Sequence, residues 1–269
     1  MRIALCAIGR RENRYAREFV EHYLALGFDH IFICDNNHDG EERFEDVLQP
    51  EIDQGTVSIR DYRNRVAVQM QAYTDIYARY GSTFDWMAFF DFDEFLTLRK
   101  GLTLQQWLTG VPSDADTVFV NWMCYGDCGL VYDDGRGIQE RFTVPLPKDL
   151  KIYKKFPENE YVKCLVRGSL SYGAVFDSPH YPKTARRCYT AAGRPCRAVA
   201  HHRQDHTTAW LRHYTTKTIE EWMRDKMQKG VGSFTMEEFT RFYGNRFFLY
   251  NERTVEKETV ISRYTNNGG

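Results

Sequence analysis

Apolar and polar residues alternate with two different periods along the first half of the chain. Short apolar runs predict strands at residues 2–8, 30–37, 55–62, 86–95 and 116–123. Apolar residues at steps of three and four predict helices over 14–27 and 65–81, closed by Gly27 and Gly81. The order strand, helix, strand, strand, helix, strand predicts an α/β fold with a mostly parallel central sheet flanked by helices.

The second half of the chain is less regular. Weak strand patterns appear in "RFTVPL" at 141–146 and "YVKCLVRG" at 161–168. A helix is predicted over 218–230, with Thr218 as N-cap, Glu221 at the capping-box position and Gly230 at its end. A further helix is predicted over 236–248. Because the sequence has no internal repeat and no low-complexity linker, we expect one domain over residues 1–269.

Polar clusters follow three of the predicted strands: "GRRE", "DNNHD" and "DFDE". In an open α/β sheet, ligands bind beyond the carboxyl ends of the strands. If these strands lie side by side and point the same way, the three clusters converge on one edge of the sheet.

The cluster in "FFDFDEFLTL" places Asp91, Asp93 and Glu94 among apolar side chains. Charges beside a core usually have a partner. The D-x-D pair at a strand end predicts a divalent cation such as Mn²⁺ or Mg²⁺, which would neutralise a diphosphate leaving group. A solvated turn is the alternative. A haloacid-dehalogenase-type phosphatase, in which the first Asp is the nucleophile, is another, but Phe95 stands where that family has Thr or Val.

Composition narrows the classes of function. Hydrophobic residues make up 42% of the 269 residues, enough for a sizeable core, and the net charge of −1 argues against binding nucleic acid by bulk phosphate neutralisation. Seven cysteines without a C-x-x-C unit predict reduced thiols and a cytoplasmic protein. No segment is long enough for a transmembrane span, and peripheral association with the inner face of a membrane stays open.

The ordered blocks of the sequence are similar to those of a known family. They are "CAIGRRENRYAREFVEHYLALGFDHIFICDNN", "QMQAYTDIYARYG", "DWMAFFDFDEFL", "NWMCYGDCG" and "HYTTKTIEEWMRDKMQKG". From about residue 5 to about residue 232 the chain resembles the family-2-like glycosyltransferases of GT-A fold, and more narrowly their family-92-like and bacterial polysaccharide branch.

The resemblance implies an inverting, metal-dependent transfer of sugar from a nucleotide-sugar donor, a UDP-sugar, with Mn²⁺ or Mg²⁺. The implied acceptor is a saccharide or lipid-linked sugar in surface polysaccharide or lipopolysaccharide synthesis. Residues 1–122 would form the nucleotide-sugar-binding half, and residues 123–269 the acceptor-binding half with C-terminal helices. A non-catalytic relative that binds carbohydrate is a further hypothesis, against which the intact D-x-D pair and "HYTTK" weigh.

The resemblance assigns the metal to three positions. Asp91 is expected near the donor ribose or the metal, Asp93 on the metal directly, and His213 as a third ligand. Three other histidines lie nearby as rivals for that role: His201, His202 and His206. The cluster "HHRQDH" at 201–206 could also suggest zinc, but it has no cysteine partner at a useful spacing.

The resemblance also implies the residues that meet the donor. Glu12 and Asp35 are expected near the nucleotide, Gln69 at a polar position of the helix before the D-x-D strand, and Lys217 near the diphosphate. Where the family has Lys and Asn before the glutamate, this chain has Arg10 and Arg11. Asp35 could instead form a turn, and Glu12 could stabilise the N-terminus of the following helix.

An inverting transfer requires a base that removes the acceptor hydroxyl proton. Asp127 in "YGDCG" is the candidate, because it follows a predicted strand and its flanking glycines leave room for an acceptor. Glu94 is the alternative. Lys163, Arg167 and His180 are candidates to line the donor or acceptor phosphate, and a solvated surface is the alternative for the two cations, Lys163 and Arg167.

Overall fold

The computed structural model describes residues 1–151, 156–229 and 246–251. Within these ranges the strands are β1 (Ile3–Gly9), β2 (His30–Asp35), β3 (Val57–Asp61), β4 (Trp86–Phe89), β5 (Glu94–Leu98), β6 (Thr117–Cys124), β7 (Val162–Arg167), β8 (Phe176–Ser178), β9 (Tyr181–Pro182), β10 (Cys188–Thr190), β11 (Pro195–Cys196) and β12 (Ala209–His213). The α-helices there are α1 (Asn13–Leu26), α2 (Phe44–Asp53), α3 (Gln69–Tyr80), α4 (Leu104–Thr109), α5 (Ile138–Arg141), α6 (Ile219–Glu221), α7 (Met227–Lys229) and α8 (Arg246–Asn251).

The strands form a large mixed sheet in the order β11-β10-β6-β7-β4-β1-β2-β3. The four strands β4, β1, β2 and β3 are parallel, whereas β7 runs antiparallel between β4 and β6. Strand β12 pairs in parallel with β6 and antiparallel with β5. The predicted α/β fold with a mostly parallel central sheet is confirmed. Strands from both predicted halves of the chain pair within this sheet.

Helices cover both faces of the parallel strands. Leu5 of β1 packs in the core cluster that contains Phe19 of α1, whereas the next residue, Cys6, packs in the cluster that contains Tyr73 of α3. Successive strand residues point to opposite faces, so a strand covered on both faces is apolar throughout. This explains why the first strand appears as a continuous apolar run.

The ends of two helices agree with their sequence signals. Gly27 adopts a left-handed backbone conformation with φ 105°, and it ends α1 as predicted. Thr218 caps α6 and forms the predicted capping box with Glu221. The chain continues through a π-helical turn, Trp222–Lys226, into α7. Gly230 lies outside the described residues, as does the predicted helix over 236–248 except for residues 246–248, which belong to α8.

Three predictions of local structure are wrong. The apolar run at 86–95 is two strands, because β4 ends at Phe89 and β5 begins at Glu94. Residues 141–146 form no strand: Arg141 ends α5, and Pro145 makes only an isolated bridge. The helix predicted over 65–81 begins at Gln69, and Val66 before it is 82% exposed.

Candidate active site

The turn between β4 and β5 carries the three acids. Phe90 and Phe92 are buried, and Phe92 stacks on Phe44 with 5.1 Å between ring centroids. A Cβ atom on Gly9, at the end of β1, would lie 2.7 Å from the Phe92 ring, so this close packing requires glycine. The two phenylalanines therefore anchor the turn in the core at the carboxyl edge of the parallel strands.

The carboxylate of Asp91 is bound by three side chains. Its Oδ1 accepts hydrogen bonds from Gln69 Nε2 at 2.8 Å and from Tyr73 OH at 3.0 Å. Its Oδ2 forms an ion pair with Lys163 Nζ at 2.8 Å. The Asp91 side chain is 34% exposed, so it forms part of the surface of the site. Its three partners hold the carboxylate in position.

Lys163, the second residue of β7, is a fully enclosed cation. Its side chain is 1% exposed and lies 2.8 Å from Asp91 and 3.8 Å from Glu94. Burial alone would lower the pKa of Lys163, but the two carboxylates outweigh it and raise this pKa. Burial likewise opposes ionisation of Asp91, yet Lys163 and the hydrogen-bond donors hold the pKa of Asp91 below its usual value.

Glu94 is enclosed completely. Burial, with the nearby Asp91 and Asp93 charges, raises the pKa of Glu94 well above its usual value despite the attraction of Lys163. Its Oε2 accepts a hydrogen bond from the Asp91 backbone N–H at 2.9 Å. Its Oε1 is buried without a hydrogen-bond partner among the described residues. A bound cation would favour the ionised form of Glu94 and coordinate this oxygen.

Asp93, Glu94 and His213 form a compact group of potential metal ligands. One ligand atom from each lies within 4.8 Å of the others, and all three side chains are buried. Asp93 Oδ1 is 3.7 Å from His213 Nε2, and Asp93 Oδ2 is 3.4 Å from Lys226 Nζ in the π-helical turn. This group includes Glu94 in place of Asp91, which the resemblance had implied as a ligand.

His213 is the last residue of β12 and is brought to the site by pairing with Cys124 of β6. Its ring packs on Trp122 with 4.1 Å between centroids, and its Nδ1 lies 4.0 Å from Cys124 Sγ. Burial lowers the pKa of His213 to about 3, despite the attraction of Asp93. The imidazole is therefore neutral at pH 7, and with its proton on Nδ1 it offers the Nε2 lone pair on the Asp93 side.

The residues expected to meet the nucleotide are placed near the same edge. Asp35 ends β2 and uses both carboxylate oxygens, one for an ion pair with Arg63 at 2.9 Å and one for the Asn37 N–H at 2.9 Å. Lys217, which is 6% exposed, lies 3.9 Å from Glu12 and above the ring of Tyr15. Asp35 is buried, so direct contact with the nucleotide would require a local rearrangement.

Asp127 lies three residues beyond β6. Its Oδ1 accepts a hydrogen bond from the Gly129 N–H at 2.9 Å, and its own N–H donates to Asn251 Oδ1 at 2.8 Å. The intervening Cys128 has a positive φ of 52°, so the carboxylate is held in a tight turn. Because Cys124, the last residue of β6, pairs with His213, the turn begins beside the metal-ligand group.

The segment after β12 is fixed by a buried ion pair. Arg141 donates two hydrogen bonds to Glu221, at 2.8 and 2.9 Å, and both side chains are 1% exposed. Tyr15 OH and Thr218 Oγ1 each donate to the same carboxylate at 2.7 Å. These bonds connect α6 to α5 and α1, and they position the segment that carries Lys217 and Lys226.

The buried Glu221 carboxylate should make the unfolding free energy sensitive to acid. Burial opposes its ionisation, but the bonds from Arg141, Tyr15 and Thr218 lower the pKa of Glu221 from 4.5 to about 2. A lowered pKa in the folded state contributes stability above pH 4.5 that is lost as the pH falls towards 2, on the order of 3 kcal/mol. Glu221→Gln should remove this part of the slope of unfolding free energy against pH, measured by urea denaturation from pH 2 to 7.

Glu220→Gln is the matched control, because Glu220 is exposed on the preceding position of the same helix. That variant should keep the wild-type slope. An unchanged slope in Glu221→Gln would show that Glu221 is not the titrating group.

The sequence reveals several residues of the site only in part. Lys163 is buried in the ion-pair network, which excludes the alternative of a solvated surface. Tyr73 fits the apolar stripe of its helix, yet its hydroxyl donates a hydrogen bond to Asp91. No sequence signal indicates that Lys226 belongs to the site. A lysine in the middle of the apolar "YVKCLVRG" is the available signal for Lys163, because a charge in a buried strand requires a partner.

Two other candidates have structural contacts in the described residues. The Arg167 guanidinium lies over Trp86 at 4.4 Å from the ring centroid and bonds the Ala115 carbonyl. His180 Nδ1 donates to the Val162 carbonyl at 2.7 Å.

A family model and a relative from a plant support a glycosyltransferase class for part of the chain. Residues 5–125 match the model of glycosyltransferase family 92. A glycosyltransferase family 92 protein of Ricinus communis is 26% identical over 144 residues, which cover 52% of this chain and 26% of that protein. The chain thus spans about a quarter of the length of this relative. The crystal structure of S. aureus TarS shares 12% identity with a TM-score of 0.43, covering 96% of this chain and 46% of TarS.

The family match over residues 5–125 confirms the predicted resemblance to family-92 glycosyltransferases. The family match favours a glycosyltransferase over the haloacid-dehalogenase-type phosphatase. The candidate nucleophile of the phosphatase hypothesis, Asp91, also has both carboxylate oxygens bound by Gln69, Tyr73 and Lys163. Across the described ranges, no helix has the length and apolar character needed to cross a bilayer.

Proposed function

We propose that the protein transfers a sugar from a nucleoside-diphosphate donor to a hydroxyl of a saccharide acceptor, with inversion and with a divalent cation. The observation that carries this proposal is the group Asp93, Glu94 and His213 at the carboxyl edge of the sheet. Two of these residues lie within the segment that matches glycosyltransferase family 92.

The chemistry of this group fits Mn²⁺ or Mg²⁺. Asp93 and Glu94 supply carboxylate oxygens, and the neutral His213 supplies a ring nitrogen, a combination that suits Mn²⁺ well. Glu94 Oε1 is buried and has no hydrogen-bond partner in the described part of the chain, and a bound cation would supply one. When bound, the cation supplies Lewis-acid stabilisation of the diphosphate. Lys226, now 3.4 Å from Asp93, would be displaced from this carboxylate and be available to the diphosphate.

The other residues of the site orient the donor and move the proton. Lys163, Gln69 and Tyr73 hold Asp91 so that its exposed part can accept from a donor hydroxyl. Lys217 offers a second cation near the diphosphate. Asp127 removes the acceptor proton, a role that suits it better than Glu94, because Asp127 is 9% exposed whereas Glu94 is enclosed completely.

The finer parts of the proposal follow from the resemblance. The donor is a UDP-sugar, the acceptor a saccharide or lipid-linked sugar of surface polysaccharide synthesis, and the donor binds to the half formed by residues 1–122. A screen of nucleoside diphosphates and their sugars by thermal shift, with and without Mn²⁺, tests this proposal, because a ligand of the native state raises its melting temperature. Stabilisation by a UDP-sugar only with Mn²⁺ is the expected result, and no stabilisation by any member of the screen would contradict it.

Asp127→Asn should impair removal of the acceptor proton without affecting donor binding. The amide still accepts the Gly129 N–H, so the turn persists, but it cannot take a proton. Transfer should fall by about 10²–10⁴-fold while donor binding stays within about twofold. Steady-state kinetics and isothermal titration with UDP and Mn²⁺ measure the two effects. Asp134→Asn, on an exposed acid nearby, is the control, and normal turnover by Asp127→Asn would place the base elsewhere.

A further inference from the structure

A groove of about 650 Å³ is lined by residues of the β10–β11 hairpin and of the loop that precedes β12. Thr190 at the end of β10 and residues 202–207 contribute to its wall. Strand β6 pairs with β10 over residues 117–119 and with β12 over residues 122–124. The groove thus lies where β10 ends and β12 begins alongside β6, and it includes most of the "HHRQDH" segment, to which the proposed transfer chemistry assigns no role.

The charged lining residues leave an excess of positive charge. Lys148, Arg194 and Arg203 are cations, and Asp205 is the acid that lines the groove with them. Asp205 is already paired with Arg194 and accepts from the Thr207 hydroxyl. Among the described residues, Lys148 and Arg203 have no ion-pair partner and are exposed. The groove therefore presents two uncompensated cations to a ligand.

The lining also contains two polar atoms that require hydrogen-bond donors. Gln204 Oε1 and His202 Nε2 are buried and have no partner in the described part of the chain. Burial lowers the pKa of His202, although its bond to the Arg197 carbonyl opposes this, so the ring is neutral and its Nε2 accepts. Unpaired buried acceptors are costly, and a ligand hydroxyl that reaches them would offset that cost.

A ligand that satisfies both features is an acidic saccharide. Its carboxylate or phosphate groups match Lys148 and Arg203, and its hydroxyls match Gln204 and His202. A neutral saccharide lacks the first feature, and a simple inorganic anion lacks the second.

Trp122 connects the groove to the transfer site. His206, which lines the groove, donates from Nε2 to the Trp122 carbonyl at 2.8 Å, and the Trp122 ring packs on His213. Strand β12 runs from the groove to His213, and its five residues span about 17 Å. This distance corresponds to a few sugar units, so one oligosaccharide acceptor is long enough to contact both sites.

We propose that this groove is a distal subsite for an acidic unit of the acceptor saccharide, an inference that rests on the proposed transferase function. The acid group is a carboxylate of a uronic acid or a phosphate on the sugar. Arg203 and Lys148 bind that group, and Gln204 and His202 bind the sugar hydroxyls.

The test compares three probes of similar size: tetragalacturonate, phosphorylated maltotetraose and neutral maltotetraose. Binding is measured by isothermal titration with UDP and Mn²⁺ at saturation, so that the donor site is occupied. At least one acidic probe should bind wild-type protein about tenfold more tightly than neutral maltotetraose, and the preferred probe identifies the acid group. Arg203→Gln combined with Lys148→Gln should remove this preference.

The control is Arg79→Gln combined with Lys183→Gln, which removes two exposed cations outside the groove. It should bind the acidic probe as wild type does. The inference is overturned if neither acidic probe exceeds maltotetraose, or if the groove and control variants bind alike. Asp93→Asn should bind the acidic probe normally when the titration is repeated without UDP and Mn²⁺. Normal sugar transfer by Asp93→Asn would instead refute the proposed metal-dependent function and leave this binding result intact.

Discussion

Replacement of Asp93 by Asn is expected to lower the rate of sugar transfer by a factor on the order of 10³. The Asn side chain has nearly the same size and shape as Asp but no charge. The cation that would stabilise the departing diphosphate would therefore lose a negatively charged ligand. The Asp93 side chain is 6% exposed, so solvent would replace little of the lost interaction. The measurement is turnover of nucleotide-sugar donors with Mn²⁺ at several concentrations.

The fold of the Asp93→Asn variant should persist. The substitution removes a buried charge and keeps the side-chain volume, so the circular dichroism spectrum should be that of wild type. Asp177→Asn, at an exposed acid away from the turn, should transfer sugar at the wild-type rate. Transfer by Asp93→Asn within a few fold of wild type would rule out the metal role of this residue.

Lys163→Met is expected to destabilise the protein by about 3 kcal/mol. The substitution leaves Asp91 and Glu94 without their shared cation in a buried network. This value lies at the lower end for breaking a buried pair, because Asp91 is one-third exposed and Glu94 can bind a proton. The unfolding free energy from urea denaturation at pH 7 measures the effect.

Glu94→Gln in the Lys163→Met background should restore part of the lost stability, because it removes a buried carboxyl group that must either stay charged without its cation or bind a proton. Lys100→Met, at an exposed lysine, should change the unfolding free energy by less than about 0.5 kcal/mol. An unchanged unfolding free energy in Lys163→Met would show that the ion-pair network does not stabilise the fold.

The fold was predictable because its signals are local. The apolar runs and helical periods of the first half, with Gly27 as a stop, specify the parallel strands and α1 independently of distant contacts. The break between β4 and β5 was not predictable from the same pattern. Phe90 and Phe92 are buried in the turn as they would be in a strand, so the alternation of apolar and acidic residues continues although the backbone departs from the sheet.

The candidate site was predictable only in part. The D-x-D pair and the acids at the strand ends were visible, because topology brings the ends of parallel strands together. The partners of those acids come from distant segments: Lys163 from β7 and Lys226 from the π-helical turn. No local pattern links residues so far apart in the chain, so which cation meets which carboxylate depends on the packed structure. The choice of His213 among the neighbouring histidines likewise follows from the pairing of β12 with β6.

The most direct test of the account is anomalous diffraction from crystals grown with Mn²⁺ and UDP. The account predicts a manganese peak within about 2.3 Å of a carboxylate oxygen of Asp93 and of His213 Nε2, in contact with the diphosphate. Bound diphosphate with no manganese peak at Asp93 and His213 would contradict it.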